Sequence, residues 1–429
     1  MSDLARPLQL PCGQTLSNRI AKAAMSERLA APHGAPSESL VRLYRQWGGG
    51  GAGLLLTGNV MIDRTALGEG GNVILEDESN LDAFRAWARA SGPTPLWMQI
   101  NHPGRQTPRT LTRRPVAPSA VAMRGTAGTF AKPRALTEHE IEGIVSRFGE
   151  TARLAERAGF AGVQIHGAHG YLISQFLSPL TNRRDDDWGG SRERRRRFLH
   201  EVVRAVRGAV SPTFGVSLKL NSADFQRGGF DEDESMEVVA SLEGLGLDLL
   251  EISGGTYEAA VMFDEPDPRG SSSGRAQRAS TQAREAYFLR YATSVRGRTT
   301  LPLMVTGGFR SVAVMEGALS SGALDVVGMA RPFAVEADIP SRLLVGGQLE
   351  AHPVRLATGF KTLDSIIQGG WHQAQIERLA RGLDADPKLG RFRGFVSYFL
   401  PRRRRETARL DAAASEQPPP SAMGPDARS

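Results

Sequence analysis

Cysteine is almost missing from this sequence: Cys12 is the single one in 429 residues. A lone thiol cannot close an intramolecular disulfide, nor can it supply the several thiolates of an iron–sulfur cluster or a structural zinc site. Long apolar runs are missing too, since none approaches the ~20 residues that span a bilayer. The opening MSDLARPLQL lacks the basic-then-apolar pattern of a secretion signal. Together these absences lead us to expect a cytoplasmic protein of a reducing compartment with no membrane partner. No helical HExxH-like pair of histidines occurs, and we expect no metal.

What is present is an ordinary folded composition, with 40% hydrophobic and 23% charged residues. The net charge of +7 would suit a nucleic-acid partner, but much of the excess is local. Arg192, Arg194, Arg195, Arg196 and Arg197 form one cluster, and Arg402, Arg403, Arg404 and Arg405 form another. The second leads into DAAASEQPPPSAMGPDARS, a composition typical of disorder. No recognition motif accompanies either run, so the expectation is a solvated helix face, a solubilising tail and no nucleic acid.

Eight short apolar runs recur along the chain: RIAKAAM, GLLLTGNV, PLWMQI, GVQIHGA, FGVSLKLN, LDLLEISGG, LPLMVTGG and LDVVGMA. Their near-continuous apolar character suits parallel strands covered on both faces. Helical segments lie between them. Thr137 with Glu140 matches a capping box, and Ile141, Ile144, Val145, Phe148, Ala152 and Ala155 then share one face up to Gly159. Ser191 starts another helix, with Phe198, Leu199, Val202, Val203 and Val206 inward; Ser311 starts a third. Eight alternations predict an α/β fold, a (β/α)8 TIM barrel over residues 1–345. A helical extension over 346–400 should pack on it, and 401–429 should be a disordered tail.

Polar and glycine residues fall where each strand gives way to its loop. In a barrel those points converge on one mouth, where barrel active sites lie. Strands seven and eight end in TGGF and GMARPF. Glycines let backbone N–H groups approach a phosphate, and Arg331 adds a bidentate donor, so this pair reads as a phosphate site.

At this point the chain resembles the old yellow enzyme family of FMN-dependent NAD(P)H oxidoreductases. NRIAKAAM, MQINHPGRQ, PVAPSAV, IHGAHGYLISQFLSPLTNRRDDDWGG, KLNSADF, TGGF and GMARPF occur in that family's order. The resemblance implies FMN as cofactor, with NADPH or NADH as hydride donor. Ala24, Met25 and Ser26 would line the isoalloxazine, Gly58 and Gln99 its central span, and Lys219 the N1/O2 edge. Gly307, Gly308, Ala330 and Arg331 would hold the ribityl phosphate. His166 and His169 would bind a substrate oxygen, and Tyr171 would protonate the substrate after hydride transfer from flavin N5.

The implied substrate is a small molecule with an electron-poor alkene, which makes the protein an ene-reductase. Nitro or quinone reduction and amine demethylation are alternatives within the same fold, and a flavin- or phosphate-binding protein with an anionic partner is the non-enzymatic one. A homo-oligomer is compatible with all of them. Arg28 stands near where relatives place a substrate-contacting tyrosine, and Tyr257 and Met262 lie in a long loop after strand six. Arg28 and Tyr257 are taken as substrate-pocket candidates, with Met262 beside them.

Overall fold

The computed structural model describes residues 2–126, 128–253, 290–352 and 361–390. Eight parallel strands close on themselves: β1 (Ile20–Lys22), β2 (Leu54–Leu56), β3 (Leu96–Asn101), β4 (Gly162–Gly167), β5 (Gly215–Asn221), β6 (Leu249–Ser253), β7 (Leu303–Thr306) and β8 (Val326–Met329). Each pairs with the next in the chain, and β8 pairs with β1 to complete the ring. All eight runs read from the sequence are strands of this barrel.

The helices that cover it include α1 (Glu38–Gly48), α2 (Leu81–Ala90), α3 (Glu138–Arg157), α4 (Leu172–Leu177), α5 (Arg192–Ala209) and α6 (Glu232–Ser241). After β7 comes α7 (Val312–Ser320), and after β8 come α8 (Arg331–Val335), α9 (Ile339–Leu344) and α10 (Lys361–Ala380). The capping box forms as expected: Thr137 accepts from the Glu140 N–H while Glu140 accepts from the Thr137 N–H. Ser191 likewise caps α5 through the Arg194 N–H. Ser311 stands at the N-cap of α7 without a side-chain cap bond.

Strand alternation divides the core in two. Ala21, Leu54, Leu56, Trp97, Leu249, Met304 and Val326 point into the barrel, where Leu10, Cys12 and Leu16 of the N-terminal hairpin join them. That hairpin closes the N-terminal end of the strands, since Gln14 donates to the carbonyls of Ala161 and Thr213 just before β4 and β5. The opposite, C-terminal end is left as the mouth. Outward-facing residues form a larger core against the helices, with Trp47, Phe84, Phe148, Phe198 and Phe333 fully buried.

The arginine cluster on α5 differs from the expected solvated face in one member. Arg195 is buried, pairs with Glu234, and donates to the carbonyls of Leu177 and Gly190. It locks α4 and α6 onto α5, whereas Arg192, Arg194 and Arg197 remain substantially exposed. The arginine tail and residues 401–429 lie outside the described residues. Among those described, no helix is long and apolar enough to cross a membrane.

Trp97 fills the barrel floor because its neighbours carry no side chain. A Cβ at Gly215 would stand 2.1 Å from the indole, and one at Gly162 2.7 Å from it. Gly215→Ala should therefore destabilise the fold by about 1–3 kcal/mol through overpacking, read as a lower midpoint in urea. A glycine-to-alanine change at Gly143, which meets nothing within 4 Å, should leave that midpoint unchanged or raise it.

Candidate active site

Four barrel strands send polar side chains to the centre of the mouth, and these satisfy one another in series. Gln99 on β3 donates to Gln164 on β4 at 2.8 Å, and Gln164 donates to Glu251 on β6 at 2.8 Å. Glu251 accepts Lys219 Nζ of β5 at 2.7 Å. All four are almost wholly buried. A lone buried charge costs several kcal/mol, so each member depends on the next. Gln99 and Lys219 were expected from the sequence. Gln164 and Glu251 were not, although a glutamate inside LDLLEIS is a signal, because burying it needs a cation nearby.

Above this layer lies the loop that follows β4. His166 is buried, and its Nδ1 accepts the Ala168 N–H at 3.3 Å. That bond places the imidazole proton on Nε2. The His169 backbone has φ = 60°, its N–H donates to Asn221, and its Nε2 meets Ser253 Oγ at 2.8 Å. The three rings form one edge-to-face cluster, with centroids 5.1 Å apart for His166 and His169 and 4.9 Å for His166 and Tyr171. Tyr171 also stands at the N-cap of α4. Burial, reinforced by the Lys219 ammonium, pushes both histidines well below the ordinary imidazole pKa. They are neutral at pH 7.

On the β1–β2 side, Ala24, Met25, Ser26 and Arg28 form the half-buried rim. Asn59 reaches Ser26 Oγ at 3.5 Å. Arg28 adopts φ = 55°, and its guanidinium pairs with Glu69 at 3.5 Å. Behind the rim lies a unit that sequence reading missed. Lys22 points outward from β1, fully buried, over the Trp47 ring at 4.4 Å, and donates to the Leu56 carbonyl at 2.7 Å. Burial, offset by Glu27 4.0 Å away, lowers its pKa to about 8. Glu27 accepts from Tyr44 and from the Gly58 N–H at 2.9 Å. A Cβ on Gly58 would fall 2.2 Å from both Glu27 and the Met25 carbonyl, so only glycine lets these backbones meet here.

Strands β7 and β8 supply the glycine turns. Gly307 and Gly308 have φ of 134° and 82°, a conformation that favours glycine. Among the described residues neither donates its N–H to another group. A side chain on Gly328 would meet Thr306 Oγ1 at 2.0 Å, and that hydroxyl is buried without a partner among the described residues. Ala330 and Arg331 begin α8 beside this turn. Unsatisfied backbone donors beside an arginine suit a phosphate, and a buried cation at the mouth suits the electron-rich edge of a flavin. The residues present therefore fit FMN. Tyr257 and Met262 lie outside the described residues.

Three imidazoles are more than nine-tenths buried: His102, His166 and His372. Burial lowers His102 to about 4 and His372 to about 4. Their folded pKa values lie below the unfolded value near 6.5, so the unfolded chain binds protons that the folded one refuses. Stability is full above pH 6.5 and falls toward pH 4, by up to about 1.4 kcal/mol per pH unit for each group. The thermal midpoint should drop through that window, and His102→Gln should make the drop shallower. A midpoint flat between pH 7 and 5 would contradict this.

Comparison with known proteins gives the family. Residues 3–350 match the model of the NADH:flavin oxidoreductase / NADH oxidase family. The NADH-dependent flavin oxidoreductase iliE of Hypocrea jecorina (strain QM6a) is 39% identical over 367 residues, covering 80% of this chain and 89% of that protein. A protein of the same name from Neonectria sp. (strain DH2) is 38% identical over 85% of this chain, which spans half of that longer relative. The solved structure of morphinone reductase superposes with a TM-score of 0.66 at 27% identity, covering 81% of this chain and 91% of that one. A barrel with these strand-end motifs and these relatives belongs to the old yellow enzyme family of NADH-dependent flavin oxidoreductases.

Proposed function

We propose that this protein is an FMN-dependent oxidoreductase that uses NADH or NADPH to reduce electron-poor C=C bonds. The observation that carries the reading is the neutral His166–His169 pair with Tyr171 edge-on beside it, next to a buried Lys219. FMN, when bound, would supply the hydride chemistry between nicotinamide and substrate. Ala24, Met25, Ser26, Gly58, Gln99 and Lys219 would hold its ring, and Gly307, Gly308, Ala330 and Arg331 its phosphate. Morphinone reductase has been solved with tetrahydroNAD, which supports a nicotinamide as the reductant.

The chain's own groups do the rest. His166 presents Nε2–H to the substrate oxygen, because Nδ1 is occupied by the Ala168 N–H. His169, steadied through Nε2 by Ser253, offers Nδ1 as the second donor. Two neutral donors stabilise negative charge growing on a carbonyl or nitro oxygen without drawing in a counter-ion. Tyr171 delivers a proton to the α-carbon and recovers one from solvent. Arg28, at the rim, stands where it can bound the substrate pocket.

Tyr171→Phe separates this chemistry from its alternatives. The variant should take electrons from NADH at the parental rate and pass them to a quinone normally, because neither step needs a carbon-bound proton. Enone reduction should slow by about 10² to 10⁴, the usual worth of a positioned general acid. Parental enone turnover would remove Tyr171 from its role. Loss of phenol binding in His166→Ala and His169→Ala, with flavin content retained, checks the oxygen site.

A further inference from the structure

Of the motif MQINHPGRQ only Gln99 has a part in the proposed function, yet the second half of that motif grips the histidine loop. The loop turns back at two successive left-handed residues, His169 with φ = 60° and Gly170 with φ = 75°. Glycine adopts that conformation freely and histidine does not, so the corner needs holding. Three side chains hold it. Asn221 of β5 accepts the His169 N–H at 3.1 Å. Gln106, from the loop after β3, donates Nε2–H to the His169 carbonyl at 2.8 Å. Gln175 of α4 donates to the Gly170 carbonyl at 2.7 Å.

Both glutamines are buried, but they differ in what else they bind. Gln175 also donates to the Pro103 carbonyl at 3.0 Å and accepts the Arg105 N–H at 3.2 Å. It braces the β3 loop against α4 whatever happens at the histidine. Gln106 has no second task of that kind. Its Oε1 is buried without a partner among the described residues, so the bond to His169 is the one hydrogen bond that its side chain makes among them. A carbonyl can only accept, which fixes the Nε2 end of this amide toward His169. The ring of His169 is held separately, through Nε2 by Ser253 Oγ of β6 at 2.8 Å. Backbone and ring of one half-buried residue are thus gripped from β3, β5 and β6. If the Gln106 bond is lost, the peptide between the two left-handed residues is free to rotate, and the imidazole loses its fixed direction.

We propose that Gln106 is a positioning residue for substrate reduction: its amide fixes the His169 carbonyl, and through it the aim of the His169 ring. This rests on the reading of His166 and His169 as the donors to the substrate oxygen. Gln106 acts through His169 and not on the substrate.

The test is a double-mutant cycle in the full-length flavoprotein, with phenol binding by calorimetry and 2-cyclohexenone turnover as readouts. Gln106→Met keeps the length of the side chain and removes its donor. With His169 intact, it should weaken phenol binding and slow enone turnover by about tenfold to a hundredfold, the usual cost of misplacing a group by ~1 Å. Flavin reduction by NADH and the thermal midpoint should stay parental, since the exposed side of the His169 corner lets water take the released carbonyl. In a His169→Ala background the same change should cost almost nothing further, because the group it aims is gone. Should Gln106→Met fail to fold, Gln106→Leu carries the same cycle. Equal losses in both backgrounds, or a lowered midpoint with loss of flavin, would make Gln106 a structural brace. Parental phenol binding in Gln106→Met would show that His169 is aimed without it. Either result overturns the proposal. If His169→Ala alone binds phenol as the parent does, it is the oxygen-site reading that falls, and this proposal with it.

Discussion

The Lys219–Glu251 ion pair is the constraint around which the mouth of this barrel is arranged. A parallel barrel buries its strands on both faces, so a charge placed on one has no water to fall back on. Glu251 neutralises Lys219 at 2.7 Å, and Gln164 takes the second carboxylate oxygen. Gln99 then takes Gln164. Removing one member leaves the others buried and unpaired, which costs about 3–5 kcal/mol for a broken buried ion pair. The arrangement fixes a positive charge directly beneath the histidine loop. The same charge helps keep His166 and His169 neutral, and neutral donors are what the proposed oxygen site requires.

A second buried cation, Lys22, works on the other side of the sheet. It is held by the Leu56 carbonyl, the Trp47 face and Glu27. Because Glu27 also accepts from Tyr44 and Gly58, strands β1 and β2 and helix α1 are tied at one point. The rim residues Ala24 to Ser26 sit between that point and the mouth. Gln373 adds α10 to the same junction. This rim is therefore stiffened from behind by charge.

Much of this was legible in the sequence, and for identifiable reasons. Strand positions were plain because a strand covered on both faces must be apolar along its length. Loop positions were plain because a strand end must turn, and glycine and polar residues mark the turn. The histidine–tyrosine loop was singled out by its resemblance to the family's motif, and the structure brings its three rings together. What escaped were partners rather than positions. Glu251 within its apolar strand calls for a cation, but only strand register names Lys219 as the one beside it. Lys22 was read as part of an apolar strand, since alternation alone does not say that an outward position is buried. Arg195 was hidden within a run of exposed arginines. Gln373 is too distant in sequence from Glu27 for any local pattern to join them.

The central claim is that this site passes electrons from a nicotinamide to an activated alkene through bound flavin. Anaerobic stopped-flow absorbance tests it most directly: bleach the visible band of the oxidised flavin with NADH or NADPH, then mix with 2-cyclohexenone and analyse the product. The account predicts that one nicotinamide bleaches the flavin and that the enone restores its colour with stoichiometric formation of cyclohexanone. A flavin that bleaches but stays reduced with the enone, while a quinone restores it at once, would contradict the alkene as substrate.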